Sequence, residues 1–213
     1  MTKHKGQYAG LDLSLAGTGG VLLDKAGEVV SVLAFSTGKR EAAAPTSEGV
    51  RIILSPEVKQ GNPATMWART VYVMQQIADW LDEYADKRCR IAIEDHAFGA
   101  QGTSIYQLGH LHGLVRHMIH RKGYQWLLVA PTELKAAVTG KGNADKNAMM
   151  KVPTPKLNQE MFGSSTRNNV VDAYWLARVM MAYSEVQVDH GTWGAMPDSM
   201  AKVLRPHAKK PGL

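Results

Sequence analysis

The chain is poor in the features that tie a protein to a membrane or to an oxidising compartment. It has one cysteine, Cys89, which excludes an intramolecular disulfide. Its apolar runs fall well short of the roughly 20 residues that cross a bilayer. The opening Met1-Thr2-Lys3-His4-Lys5-Gly6 lacks the apolar stretch of a signal peptide. Internal repeats and low-complexity tracts are also missing. Acidic residues are outnumbered, 19 against 25 basic ones, for a net charge of +6. Together these shortages predict a cytoplasmic protein with no membrane partner. What is there suits one domain: 213 residues, 45% of them hydrophobic, can build a real core.

The basic excess is clustered, in Lys39-Arg40, Lys87-Arg88-Arg90, residues 116–122, residues 135–151 and the tail at 205–210. Such clustering suits a polyanionic partner, although surface charge also serves solubility. Against this background three acids stand out, because each interrupts apolar sequence. Asp12 lies in Tyr8-Ala9-Gly10-Leu11-Asp12-Leu13-Ser14, Glu94 in Ile91-Ala92-Ile93-Glu94-Asp95, and Asp172 in Val170-Val171-Asp172-Ala173. An unpaired charge in such surroundings costs several kcal/mol, so a shared counter-charge is expected. A divalent cation is the simplest one, since hard cations take carboxylate oxygen and a pair of them can clamp a phosphodiester. Asp95 points to the opposite face if its strand continues, and so stays outside this set.

Periodicity gives the order of elements. Residues 7–13, 21–23 and 29–35 read as three hairpin-linked strands. Residues 36–64 read mostly as a long loop insertion, with Ile52-Ile53-Leu54 pairing briefly at an edge. Residues 66–84 repeat Trp67, Val71, Met74, Ile77, Leu81 and Tyr84 at helical spacing. A strand over 90–94, apolar on both faces, precedes a helix over 105–121 and a strand over 126–129. Pro131 starts a short helix that ends at Gly140, a further helix covers 144–150, and the last long one covers 167–184. From about residue 186 the pattern dissolves into a basic tail, expected to be flexible. The expected fold is an α/β domain over residues 1–185, a mixed five-stranded sheet with helices on both faces, followed by the tail at 186–213.

At this point the residues resemble the RuvC-type Holliday junction resolvases of the RNase H-like superfamily. Gly10-Leu11-Asp12-Leu13-Ser14 followed by Thr18-Gly19 is similar to that family's first strand, and Ala92-Ile93-Glu94 with Phe98 beyond it is similar to the strand carrying its glutamate. Leu108-Gly109-His110-Leu111-His112-Gly113 resembles its Leu-Gly-x-x-x-Gly segment. The run from Val138 through Gly140-Lys141-Gly142-Asn143 to Lys146 resembles its glycine-rich DNA-contact segment, and Asn169-Val170-Val171-Asp172-Ala173 its Asp (or His)-x-x-Asp-Ala at the head of the last helix. Residues 7–183 are covered. The long insertion and the basic tail suit a divergent or phage-encoded member, in a phage-infected or bacterial cell.

The resemblance implies an RNase H-like fold and a metal-dependent endonuclease that resolves four-way DNA junctions as a homodimer. It implies Mg²⁺, with Mn²⁺ able to substitute, and two ions per site. Asp12 would bridge them, with Glu94 and Asp172 as further ligands. Asn169 stands where the family has an acid or histidine, so it brings an amide oxygen and no negative charge. Phe98 would stack at the junction centre, or else plug the core beneath its loop. Arg116, Lys141 and Lys146 would hold the DNA backbone. Gly109 and Gly113 allow close backbone approach, either within the fold or, as the family implies, across the dimer interface. His110, His112, His117 and His120 suit a solvated or DNA-facing helix better than a zinc site, for which cysteine partners are lacking. Gly140-Lys141-Gly142 lacks the spacing of a nucleotide-binding loop, so no nucleotide cofactor is expected. The alternatives within reach are a nuclease for other branched DNA or RNA–DNA hybrids, and a junction-binding protein weakened in catalysis by Asn169.

Overall fold

The computed structural model describes residues 5–15, 17–36, 49–56, 62–95, 103–154, 157, 164–188 and 198–208. Three antiparallel strands open it: β1 (Gly6–Asp12), β2 (Gly19–Leu23) and β3 (Val29–Ser36). β4 (Val50–Leu54) follows, then α1 (Pro63–Tyr84), β5 (Ala85–Glu94) and α2 (Thr103–Arg121). β6 (Gln125–Val129), α3 (Pro131–Thr139), α4 (Lys146–Lys151), α5 (Ser164–Val188) and α6 (Asp198–Ala208) complete it. The sheet order is β4-β3-β2-β1-β5-β6, antiparallel among β1, β2 and β3 and parallel elsewhere. The five expected strands are joined by a sixth among the described residues. β4, foreseen only as a brief edge pairing, runs parallel to β3 along its whole length because Val50, Ile52 and the β3 residues Val32 and Ala34 share a buried cluster.

Alternation along the strands sorts the core into two faces. Leu11, Leu33, Phe35, Ile91 and Ile93 meet α1 and α2, whereas Val21, Val32, Ala34 and Ala92 meet α5 and its neighbours. β5 is covered on both faces, as its unbroken apolar run predicts. Ile77 and Leu81 of α1 are buried and Met74 and Tyr84 pack against the same core, as the spacing predicts, but Trp67 departs from that face. Trp67 is 52% exposed, with the His110 ring edge-on to it, while Trp80 is fully buried. The reason is polar as well as apolar. The Trp80 indole donates to Ser31 Oγ at 2.8 Å, and Ser31 Oγ donates to the Gly49 carbonyl at 2.6 Å, so the largest side chain of the helix is satisfied inside.

Two expectations about the chain's end are corrected. α5 starts at Ser164, so Asp172 lies more than two turns into the helix instead of at its head. The basic tail is also not patternless: α6 buries Met200, Ala201, Val203 and Leu204 against the α3–α5 side of the molecule. Ser199 Oγ donates to the Ala137 carbonyl of α3 at 2.9 Å. Its apolar residues at i, i+1, i+3 and i+4 are broken by Lys202 and followed at once by Arg205, which hides the pattern in sequence.

Candidate active site

Local rules bring the carboxylates together. Gly10 and Asp12 share one face of β1, as Ala92 and Glu94 share the same face of β5. Gly10 pairs with Ala92 and Leu11 with Ile93, so the two acids end adjacent parallel strands side by side. α5 crosses directly over them. A Cβ on Gly10 would strike the Ala173 carbonyl, and only a glycine lets this helix come so close to β1. That contact sets Asp172, one residue earlier, above the strand ends.

The three acids line one cavity of about 370 Å³ together with Ser14, Asp95, Leu108, His112, Pro131, Lys135, Lys146 and Asn169. Asp12 is buried at 9% exposure. Burial, and then the charges of Glu94 and Asp172, push its carboxyl well above the usual range. Burial followed by Asp172 raises Glu94 to about 7, against a partial offset from the Asp12 hydrogen bond, Lys135 and Lys146. Burial raises Asp172 to about 6, while Lys146 and Lys135 pull it down. Asp12 and Glu94 face each other within hydrogen-bond reach, and a charge on Glu94 raises the cost of ionising Asp12.

Among the described residues no trio of His, Cys, Asp or Glu stands as a ready-made metal cage. The donor chemistry nevertheless fits a divalent cation. Hard carboxylate oxygens converge on one space, and the raised carboxyls record negative charge that two lysines leave incompletely balanced. Asp172 lies too far into α5 for the helix dipole to account for an acid there, since that influence fades within the first turn.

Several residues move from their expected surroundings. Asp95 lines the cavity because β5 ends at Glu94 and the alternation stops there; its N–H donates to the Val129 carbonyl at 2.8 Å. His112 is not on a solvated face: it is 2% exposed and forms part of the cavity wall, whereas His110, His117 and His120 are exposed. Lys135 was not singled out in sequence. It sits one turn after Pro131 on α3, a helix whose start is held by Glu133 Oε2 accepting from the Ala130 N–H at 2.9 Å. Its clue was that proline-led start beside the strand next to Glu94. Lys146, exposed at the rim, opens α4 immediately after the cap in which Asp145 Oδ1 accepts from the Ala148 N–H at 2.7 Å.

Lys141 and Lys146 part company: Lys146 joins the carboxylates, while Lys141 is exposed in the α3–α4 connection outside the cavity lining. Arg116 is half-buried, with its Nε donating to the His112 carbonyl at 3.1 Å. A Cβ built on Gly109 or Gly113 meets nothing within 4 Å, so neither glycine serves packing within the described fold. Asn169 lines the cavity one turn before Asp172, and its amide nitrogen donates to the Gly17 carbonyl. Phe98 lies outside the described residues.

Comparisons with known proteins place the chain in a family. The family model described as crossover junction endodeoxyribonuclease RuvC matches residues 13–174. The RuvC crossover junction endodeoxyribonuclease of Paenarthrobacter aurescens (strain TC1) is 31% identical over 90 residues, 42% of this chain and 47% of that protein. The chain thus matches about half the length of that curated relative. T. thermophilus RuvC in complex with a Holliday junction substrate superposes with a TM-score of 0.54 at 13% identity, covering 86% of this chain and 95% of that one. The yeast mitochondrial Holliday junction resolvase gives 0.50 at 10% identity, covering 96% and 82%. These superpositions show that the chain shares the fold of those two proteins, and the match over residues 13–174 establishes that the chain belongs to the RuvC family of crossover junction endodeoxyribonucleases.

Proposed function

We propose that this chain is a Mg²⁺-dependent endonuclease that resolves four-way DNA junctions by hydrolysing phosphodiester bonds, acting as a homodimer. The observation that carries this reading is the convergence of Asp12, Glu94 and Asp172, from three different elements, on one cavity that also holds Lys135 and Lys146. Bound divalent cations, two per site, would supply charge neutralisation at the phosphate and acidify the attacking water. The protein's own contribution is distinct. Asp12, Glu94 and Asp172 offer the carboxylate oxygens that hold the cations, and Asn169 stands beside them. Lys135 and Lys146 lower the cost of three buried carboxylates and offer ammonium groups to a phosphate entering the cavity. His112 and Leu108 complete the cavity wall beside these charges.

Lys141 and Arg116 extend positive charge away from the cavity, in line with a backbone-tracking role. The open face of α2 at Gly109 and Gly113 supports close approach by a second copy. A two-fold dimer would carry two such cavities and make paired nicks, in keeping with the symmetry of a junction. T. thermophilus RuvC binds a Holliday junction substrate, and the shared fold supports branched DNA as the partner here.

The test is cleavage of a synthetic four-way junction with Mg²⁺, with Mn²⁺ and with EDTA, beside flap, linear duplex and RNA–DNA hybrid substrates. Paired nicks in the junction that require Mg²⁺ and vanish in Asp12→Asn are the expected result. Preferential cutting of the flap or hybrid would redirect the substrate assignment, and cutting in EDTA would refute the metal-dependent reading.

A further inference from the structure

Asn169 lines the cavity, yet its side chain is engaged with a different part of the chain. Its amide Nδ2 donates to the Gly17 carbonyl, in the connection between β1 and β2. The described residues of that connection are held by several further hydrogen bonds. Thr18 Oγ1 donates to the Ser14 carbonyl at 2.6 Å and accepts from the Ser14 N–H at 3.0 Å. Ser14 Oγ accepts from the Gly17 N–H at 2.9 Å, and the Thr18 carbonyl accepts from the Phe35 N–H at 2.9 Å. Gly19, the cross-strand partner of Asp12, rests directly on Asn169. A Cβ on Gly19 would strike the Asn169 carbonyl, and one on Gly17 would strike the Asn169 amide.

We propose that Asn169 is a positioning residue, whose side-chain amide locks the β1–β2 connection onto α5 and so sets the Asp12 carboxylate relative to Asp172. This rests on the reading of the cavity as the cleavage site. The chemistry of the amide explains the residue type. An N–H donor is required opposite a backbone carbonyl, and an ionised aspartate has only acceptors to offer. An acid at this position would set two oxygens against each other and release the connection that leads away from Asp12. Added negative charge therefore weakens cation binding here, although charge counting alone predicts the reverse.

Asn169→Asp and Asn169→Ala test the proposal. Amide hydrogen exchange at Gly17 and Thr18 is followed in EDTA, Mg²⁺ binding by calorimetry, and junction cleavage as kcat and KM. Both variants should exchange about tenfold faster at these amides and bind Mg²⁺ about tenfold more weakly, the effect of one lost hydrogen bond. Cleavage should lose kcat to a similar degree, with KM within about twofold, because the DNA contacts are untouched. If Asn169→Asp does not fold, Asn169→Ala gives the same decision, since it removes the donor without adding charge. Unchanged exchange with tighter Mg²⁺ binding by Asn169→Asp would overturn the proposal and make this position a direct ligand. A wild-type protein that cuts no junction would refute the cleavage reading instead, while exchange and calorimetry would still decide the role of Asn169.

Discussion

Glu94→Gln should make the metal-free protein more stable at pH 8, even though it removes a proposed ligand. Burial and the Asp172 charge raise the Glu94 carboxyl from its ordinary 4.5 to about 7. A raised carboxyl favours the protonated form in the folded state. Its stabilising contribution is fully present below about pH 4.5 and is lost as pH rises through about 7. Over that window the difference corresponds to about 3 kcal/mol of folding free energy. Glutamine keeps the shape and drops the charge, so at pH 8 the variant should gain about 1–3 kcal/mol. A domain of this size then melts higher by about 2–4 °C for each kcal/mol. At pH 4.5 the advantage should vanish, because both proteins are neutral at this position. Mg²⁺ should reverse the order: at a concentration 100 times its Kd it stabilises the wild type by about 2.7 kcal/mol and the variant by less. Thermal melts at pH 4.5 and pH 8, in EDTA and in Mg²⁺, provide the four measurements. A variant that melts below the wild type at pH 8 in EDTA would refute the reasoning, since Glu94 would then be a satisfied ion-pair partner rather than an excess charge.

Asp12→Asn should lower junction cleavage by orders of magnitude while junction affinity is kept or improved, because it removes a cation ligand and a negative charge facing phosphate; gel-shift and nicking assays on one preparation check both. Lys146→Ala should reduce kcat and also lower the slope of log affinity against log salt by about one, whereas Lys141→Ala should change the slope alone, since only Lys146 lines the cavity. Gly113→Leu should leave the protomer's melting temperature unchanged or higher, because its Cβ meets open space and helical glycine costs up to about 1 kcal/mol, yet it should shift light scattering from dimer to monomer. A stable dimer in that variant would move the interface elsewhere.

The identity of the three central acids was legible in sequence because an acid among apolar residues is conspicuous, and strand alternation already assigns Glu94 the face it occupies. The order of strands and helices was legible for the same reason: periods of two and of about 3.6 are local properties. Tertiary structure decided the rest. Asp95 belongs to the cavity only because β5 stops at Glu94, and a strand's last residue is set by its neighbour β6, which pairs Glu94 with Val129 and goes no further. Lys135 and His112 come from helices whose rotation about their own axes is chosen by packing, so no local pattern assigns them to the cavity. α6 carries its apolar residues between basic ones, and becomes a buried element only once α3 and α5 present a surface for it. Asn169 reads in sequence as a weakened ligand. Its hydrogen bond to Gly17 joins residues more than 150 positions apart, and only the approach of α5 over the glycines of β1 and β2 brings that donor to that carbonyl.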